Sequence, residues 1–438
     1  MINRHSGIVI VLLFCSITFV NSQTFRHPYS NQGIGISAEN NFAHYLSMGG
    51  FSLSYKDSLT FSPSNPASYS NLITKHNYYS TFDAGFQGKY YNLKQDTHTF
   101  NGNLLSFAYF SLGFPLYQKI KWAGSFGLLP VSRIGYNDNF DTLILPDSIR
   151  ILESILNNGG FSKFYIGSSF QPLKFLNIGF NAYYLFGNNK TYHTFLYSNN
   201  AKYMGITSTR NRSYGNFGFD LGTQIDIPFK TNFHLLMGGY FSTPVKLKVK
   251  QENLLVTFLN ETSSIKYKDT VINDNDVLED MTIPLKYGAS LAFSNPGHWI
   301  AGLEYNFQKW SSMELNDNSI NLNDFHEFIF GAEFKPEHDQ SSSYLKRMSY
   351  RVGIKYAISQ QKVPFDLNES PMNYVNLYKR SLSFGTSLPV KRSISVINTG
   401  IEAGLIGKAE ADLIREFYIN FYLGFRLNDI WFKQSKID

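Results

Sequence analysis

The chain has 438 residues and a formal net charge of +6, and 16% of its residues are charged while another 16% are aromatic. Soluble domains usually carry about a quarter charged residues, so this chain has unusually little charge with which to cover a water-facing surface. The small, dispersed positive excess is typical of solvated loops and argues against a nucleic-acid-binding surface.

The first 22 residues are predicted to form a secretory signal peptide. The basic residue Arg4 precedes an apolar run from Gly7 to Val20, and cleavage is expected after the small residue Ser22. The only cysteine, Cys15, lies in this run, so the mature chain is expected to have neither disulfides nor thiolate metal ligands. No later segment offers the 18 or so uninterrupted apolar residues that a membrane helix needs.

Residues 23–74 precede the first clear strand and are rich in serine, asparagine and glycine. Such a segment forms either a disordered periplasmic arm or a plug inside a barrel. It contains small residues, including Gly49 and Gly50, together with apolar ones such as Met48 and Phe51. This composition favours packing, so we predict an N-terminal plug, or hatch, over residues 23–74.

From residue 75 to residue 432, stretches of alternating apolar and polar residues predict β-strands. In residues 216–227 nearly every second side chain is apolar, as in a strand with one apolar face. Residues 285–308 alternate on both sides of Asn295-Pro296-Gly297-His298, which predicts a hairpin. About fourteen such stretches occur, an even number like that of bacterial barrels. They lie near residues 75–89, 100–112, 120–130, 161–170, 175–186, 214–227, 233–243, 284–294, 299–310, 325–335, 349–359, 380–388, 393–405 and 414–428.

The breaks between these stretches alternate between tight turns and long polar loops. An outer-membrane barrel has short turns on its periplasmic rim and long loops outside the cell. A soluble sandwich also has strands with one apolar face, but the export signal, the loop lengths and the low charge favour a barrel with its apolar face toward lipid. We therefore predict an all-β fold, a transmembrane antiparallel β-barrel of about 14 strands over residues 75–432, followed by a periplasmic tail at residues 433–438. The predicted long loops are residues 131–160, 187–213, 244–283, 311–324 and 360–379. Within the third, residues 244–282 are expected to form a strand extension above the membrane with solvated charges, and a contact with a surface glycolipid is the alternative.

Charged residues on the predicted inward faces are expected to act as plug anchors. An unpaired charge inside the membrane is costly, so these side chains should pair with each other, with the plug or with water. The inward-facing charges are Asp220, Glu304, Glu327, Glu402, Lys286, Arg351 and Lys355.

Catalytic and cofactor motifs are missing from the sequence. It has no Gly-x-Ser-x-Gly elbow, no His-Glu-x-x-His pair and no phosphate-binding glycine loop. We therefore predict a protein that is not an enzyme, with no catalytic residues, no metal site and no cofactor.

Several stretches resemble one family of outer-membrane proteins. Met48-Gly49-Gly50, Asp57 and Asn65-Pro66-Ala67-Ser68 resemble the N-terminal signature of the FadL family of transporters. Residues 299–310, 327–336 and 350–356 extend this resemblance, and residues 395–402 and 429–432 resemble its Bacteroidetes branch. Together the resemblance covers almost the whole mature chain.

The resemblance implies a fourteen-stranded barrel, closed by an N-terminal hatch, in the outer membrane of a Gram-negative bacterium. Hydrophobic compounds such as long-chain fatty acids or aromatic hydrocarbons would be captured outside and released sideways into the membrane, without an energy source. Implied partners are the hydrophobic ligand, outer-membrane lipid and lipopolysaccharide, and the outer-membrane assembly machinery during biogenesis. Two alternatives stay open, a PorV-like component of a protein secretion system and a general porin.

The resemblance also suggests residues for the transport path. Asn65, Pro66 and Ala67 would form a rigid bend near the plug. Leu152, Ile155 and Leu156 fall at helical spacing within residues 146–158, which predicts an extracellular helix. In the family an outer-loop helix contributes to a hydrophobic groove, so this helix is expected either to contact ligand or to pack on other loops.

Overall fold

The computed structural model describes residues 27–31, 34–144, 149–197, 204–229, 232–261, 264–315, 318–319, 322–337, 342–365, 373–408 and 413–431. The predicted signal peptide and the predicted C-terminal tail lie outside the described residues. None of the helices in the described ranges has the length and apolar character required to cross a membrane.

Fourteen antiparallel strands form the wall of the molecule, as the sequence predicts. Two of them, β7 and β8, are each interrupted once, and the interruptions face each other across the pair. The strands are β1 (Tyr79–Gln95), β2 (His98–Tyr117), β3 (Trp122–Ile144), β4 (Ile149–Leu173), β5 (Leu176–Tyr197), β6 (Gly205–Phe229), β7 (Phe233–Ser242 and Val245–Glu261), β8 (Ser264–Ile283 and Lys286–Asn295), β9 (Trp299–Gln308), β10 (Phe325–Phe334), β11 (Ser349–Phe365), β12 (Asn373–Pro389), β13 (Val396–Ile406) and β14 (Arg415–Ile430).

The sheet closes on itself because its last strand pairs with its first. The ladder between β14 and β1 runs from Arg415 opposite Lys94 to Ile430 opposite Tyr79. A closed sheet has no free edge, so strands can satisfy their backbone hydrogen bonds in lipid. The predicted hairpin at Asn295 is confirmed, with the amide of His298 donating to the Asn295 carbonyl at 2.9 Å.

The two faces of the wall have inverted polarity compared with a soluble protein. Phe217 and Leu303 are 68% and 63% exposed, whereas Asp220 and Asn181 are fully buried. Exposed phenylalanines around an entire ring could not face water without aggregation, so the outer face lies in lipid. The protein is a transmembrane β-barrel with a polar interior.

The strands on one side of the barrel are much longer than the sequence predicts. Much of residues 131–160 and 187–213, and parts of 360–379, are strand and not loop, and the strand extension expected within residues 244–282 is present, so β3 to β8 continue well past the ten or so residues that span a membrane. In contrast, β9 and β10 have 10 residues each.

The predicted helix at residues 146–158 is wrong over its described part. Leu152, Ile155 and Leu156 lie in β4, which pairs with β3 on one side and with β5 on the other. A segment flanked by two strands that already extend from the barrel gains cross-strand hydrogen bonds along both edges. That tertiary gain outweighs a helical spacing of apolar residues.

Residues 27–31 and 34–74, here called the N-terminal segment, lie within the ring of strands. A short helix, α1 (Ala43–Leu46), contacts β12, β13 and β14, and a 3₁₀ helix (Pro66–Leu72) contacts β1 to β6. Phe42 is fully buried, with its ring 4.7 Å from Tyr109 of the wall and 5.3 Å from Phe61 of the same segment. The segment therefore builds an aromatic core against both sides of the lumen.

One seam of the wall is only partly paired. Strands β2 and β3 pair from Phe110 and Leu128 down to Tyr117 and Trp122, and within the described residues no ladder joins them above that point. The two-residue strand Ile36–Ser37 pairs with β3 there instead. The N-terminal segment therefore covers the β3 edge that β2 leaves free.

Candidate functional site

A cavity of about 280 Å³ lies between the N-terminal segment and the inner wall of the barrel. It adjoins the unpaired seam, because Leu104 of β2 and Val131 of β3 both line it. Ile34 and Ile36, which precede or belong to the short strand on the β3 edge, also line it. The cavity is therefore separated from the lipid at this seam by a few residues of the N-terminal segment.

The wall of the cavity combines aromatic rings with ammonium and guanidinium groups. Its aromatic side chains include Tyr183, Tyr240, Trp310 and Phe325. Large rings provide apolar contact area, while the tyrosine hydroxyls offer hydrogen bonds at fixed positions. Such a surface can hold an apolar molecule and orient a polar end. The charged residues that line the cavity are Glu39, Lys89, Arg133, Lys163, Lys286, Glu327 and Lys379.

Two of these cations form no ion pair with any described residue. The ammonium of Lys286 lies 5.7 Å from the ring centroid of Tyr240. By contrast, Lys163, another cation that lines the cavity, is paired with Asp220 at 3.2 Å. The guanidinium of Arg133 donates to the Ser106 hydroxyl at 2.6 Å. Both cations can accept an anionic group that enters the cavity, at no loss of an existing ion pair.

Glu39 connects residues 34–40 of the N-terminal segment, here called its upper part, to strands on the opposite side of the barrel. Its carboxylate accepts from the ammonium of Lys379 at 2.6 Å and from that of Lys355 at 3.0 Å. Burial raises the pKa of Glu39, but these two ammonium groups more than offset that effect, and the pKa lies below the usual 4.5. Glu39 is therefore a charged anchor beside the cavity.

Asn65 begins the 3₁₀ helix of the N-terminal segment and is fully buried. Its side-chain oxygen accepts from the amide of Ala67 at 3.2 Å, which is the geometry of an N-cap. Its side-chain nitrogen donates to the carbonyls of Leu53 at 2.7 Å and of Thr223 in β6 at 3.0 Å. The asparagine, followed by Pro66, thus fixes a bend against the wall, and its role in a transport path stays a prediction.

Gly49 and Gly50 follow α1 in the left-handed region, with φ values of +71° and +103°. Only glycine adopts this conformation without strain, and the Gly49 amide donates to the Ser383 hydroxyl of β12 at 2.7 Å. Glu304 of β9 accepts from the amides of Ser52 and Leu53 at 2.8 and 2.9 Å. These residues hold the turn after α1 against two distant strands.

The predicted anchors Lys355 and Arg351 reach the N-terminal segment in different ways. Lys355 binds Glu39 directly, whereas Arg351 donates to Glu333 at 2.5 Å. Glu333 in turn accepts from the Tyr55 hydroxyl at 3.1 Å. Arg351 therefore acts on the segment through a second side chain.

None of the predicted path residues lines the cavity, and this includes Asn65, Pro66 and Ala67. Leu152, Ile155 and Leu156 lie in the β4 extension, and none of them is among the residues that line it. Glu39 and Arg133 were not singled out from the sequence. Arg133 lies in a strand extension without clear alternation, and Glu39 precedes the barrel, so periodicity carries no signal for either.

Within the described ranges, no group of three or more histidine, cysteine, aspartate or glutamate side chains is arranged to hold a metal ion.

Comparison with known proteins gives one family and one fold. A family model described as BamG matches residues 1–438. The Pseudomonas putida toluene transporter TodX is similar in structure, with 16% identity over 89% of this chain and 99% of that chain, and a TM-score of 0.59. The Ralstonia pickettii toluene transporter TbuX is also similar, with 13% identity over 89% of this chain and 98% of that chain, and a TM-score of 0.55. A Pseudomonas aeruginosa FadL homologue has 10% identity over 90% of this chain and 99% of that chain, and a TM-score of 0.55. No curated relative matches the sequence. At these identities the solved structures show a shared fold.

Proposed function

Because this chain belongs to the BamG family and is folded as a transmembrane β-barrel, we propose that it lies in the outer membrane of a Gram-negative bacterium and takes up hydrophobic small molecules. Long-chain fatty acids or aromatic hydrocarbons are the expected cargo. The observation that carries this proposal is the aromatic and cationic cavity beside a partly paired seam of the wall. No catalytic step is part of it.

The character of the cavity favours an amphiphile over a plain hydrocarbon. Ligand sites usually have volumes of about 300 to 1,000 Å³ and few polar groups that fix orientation, so this cavity is near the small end. An apolar chain gains roughly 0.8 kcal/mol for each buried CH₂. Lys286 and Arg133, which form no ion pair with a described residue, suit a carboxylate head group.

Release of such a ligand is proposed to occur through the seam between β2 and β3. The N-terminal segment would act as a hatch, because residues 34–38 cover the free edge of β3 and also line the cavity. The amide of Ala38 donates to the carbonyl of Val131 at 2.9 Å. This cover is therefore held by a short backbone pairing and by side-chain hydrogen bonds from Ser132, Gln360 and Gln361. Withdrawal of residues 34–38 would join the cavity to the lipid.

Calorimetric titration of the detergent-solubilised protein tests this proposal with two ligands, dodecanoate and toluene. Lys286→Gln should weaken dodecanoate binding about tenfold or more, because a charge-assisted hydrogen bond is lost. Toluene has no carboxylate, so its binding should stay unchanged in the same variant. Lys174→Gln, in the exposed turn between β4 and β5, is the matched control and should bind both ligands like the wild type. The proposal would be contradicted if the wild-type protein bound neither dodecanoate nor toluene.

A second candidate function is docking of partner proteins during outer-membrane assembly or secretion. The family name links this chain to assembly proteins, and β3 to β8 rise beyond the membrane as a broad two-faced sheet. Affinity purification of a tagged chain from native outer membranes would test it. Stoichiometric recovery of an assembly or secretion component, lost when the β3–β4 extension is shortened, would favour docking over uptake.

A general porin is the third alternative, and planar-bilayer conductance tests it. The N-terminal segment contacts strands around the whole ring, including β1 to β6 and β12 to β14. A barrel filled in this way should show no steady ion conductance. Large, constant conductance of the wild-type protein would support the porin.

A further inference from the structure

The outer face of the barrel carries two cations directly opposite each other. Lys94 of β1 and Arg415 of β14 are register partners, and both lie on the face that carries Phe86 and Phe421 further down the same strands. Like charges at opposite positions of neighbouring strands destabilise a sheet. Neither side chain forms an ion pair or a hydrogen bond with any other described residue, and Asp96 at the nearby hairpin tip pairs with neither.

The position of this pair is at the upper end of the lipid-facing surface. Tyr90, which is 41% exposed, donates to Asn101 at 3.1 Å, and Asn92 donates to the same oxygen at 2.7 Å. Below Tyr90 the outward residues of β1 and β14 are mostly apolar, and above it they are Asn92 and Lys94 on β1 and Phe417 and Arg415 on β14. Aromatic and amide side chains mark the boundary between hydrocarbon and head groups, so Lys94 and Arg415 lie at head-group level.

A third outward-facing cation lies near Lys94 and Arg415, so that the three form a basic band on the outer face. Arg380 of β12 lies opposite Leu405 of β13, which lies opposite Phe417, one row below Arg415. The guanidinium of Arg380 packs against the ring of Tyr356 at 5.9 Å. In this band of β12, β13, β14 and β1, the described residues include no outward-facing acid.

We propose that Lys94 and Arg415, with Arg380 beside them, bind the phosphate groups of an anionic glycolipid in the outer leaflet. Two cations held on adjacent strands can share one phosphate, which removes their repulsion. Asn92 and Thr99, which lie on the same outer face beside Lys94, provide neutral hydrogen bonds to the sugar. This inference rests on the outer-membrane placement proposed above, and it is independent of uptake.

Native mass spectrometry of the full-length protein in detergent, with added bis-phosphorylated lipid A, tests the proposal. The double variant Lys94→Gln with Arg415→Gln should bind this lipid about thirtyfold more weakly, since each basic residue at a membrane surface contributes a factor of about five. The control is Lys174→Gln with Lys391→Gln, which removes two exposed charges from turns on the opposite rim. That control should bind like the wild type.

Three further measurements make the test decisive. Dephosphorylated lipid A should bind the wild type no better than it binds the double variant, and inorganic phosphate at lipid concentrations should not displace lipid A. Equal binding by the double variant and the wild type would overturn the proposal, as would full displacement by inorganic phosphate. Unchanged heat-modifiable gel mobility shows that the double variant is folded. Dodecanoate titration of the same variant measures ligand binding, and so tests the proposed uptake separately.

Discussion

Two parts of the N-terminal segment are held in the barrel by different forces. Residues 41–73 are almost entirely buried and pack an aromatic core, with Phe42 and Tyr45 at its centre. Residues 34–40 line the cavity and are held by a short backbone pairing, by the ion pairs of Glu39 and by hydrogen bonds from side chains of the wall. Packing is lost only when a whole group of side chains separates, whereas a few hydrogen bonds and ion pairs can exchange with water or ligand. The upper part is therefore the better candidate for a moving hatch.

The largest effect is expected from a change in the packed part. Phe42→Ala removes a fully buried ring that contacts Tyr109 and Phe61, and a cavity of this kind costs about 3 to 5 kcal/mol of unfolding free energy. Urea unfolding of the detergent-solubilised barrel, followed by tryptophan fluorescence, would measure it. Phe140→Ala, at a 43% exposed site in the β3 extension, should cost far less. Equal losses in both variants would show that the buried ring of Phe42 stabilises the barrel no more than an exposed ring does.

A smaller loss is expected from Asn65→Ala. The substitution removes the N-cap and leaves the carbonyls of Leu53 and Thr223 without this donor, which together cost about 1 to 3 kcal/mol. The same urea titration applies. Asn101→Ala, on the outer face, should stay within about 0.5 kcal/mol of the wild type. A neutral result at Asn65 would show that the bend does not depend on its side chain.

In the upper part, Glu39→Gln should have a modest effect of about 1 kcal/mol, because its charge-assisted hydrogen bonds become neutral ones. The pKa of Glu39 is lowered in the folded protein, so its contribution to stability is present above the usual pKa of 4.5 and is lost as pH falls below that value. The stability difference between wild type and variant should therefore shrink on acidification. A difference that grows at low pH would contradict this sign.

The smallest effect is expected outside the cavity. Leu152→Asn together with Ile155→Asn changes two residues of the β4 extension that do not line the cavity. Dodecanoate affinity should therefore stay within about twofold of the wild type. Trp310→Ala, within the cavity wall, should weaken it clearly. Loss of dodecanoate affinity in the β4 variant would indicate that Leu152 and Ile155 contact the ligand after all.

The wall of the barrel could be predicted because its physical cause is local. Between residues 75 and 432, alternation with a period of two follows from one face in lipid and one in the lumen, so fourteen strands and their inward charges could be placed from sequence. Lys286, Glu304 and Lys355 were all expected to face inward, and each contacts the interior. The strand extensions at residues 131–160 and 187–213 were missed because alternation is weak there, with Asn137, Asp138 and Asn139 in succession. Some side chains in and beside them, such as Ile134 and Phe161, are nevertheless buried.

By itself, the sequence determined the strand number, the inverted polarity of the wall, and the bend at Asn65-Pro66, since each depends on residues close together in the chain. Only the tertiary structure decided which charges pair across the lumen, such as Glu39 with Lys379 over a separation of 340 residues. It also decided that Ile36 covers the free edge of β3, and that Lys94 lies opposite Arg415. These contacts depend on closure of the ring, which brings together residues that no local pattern relates.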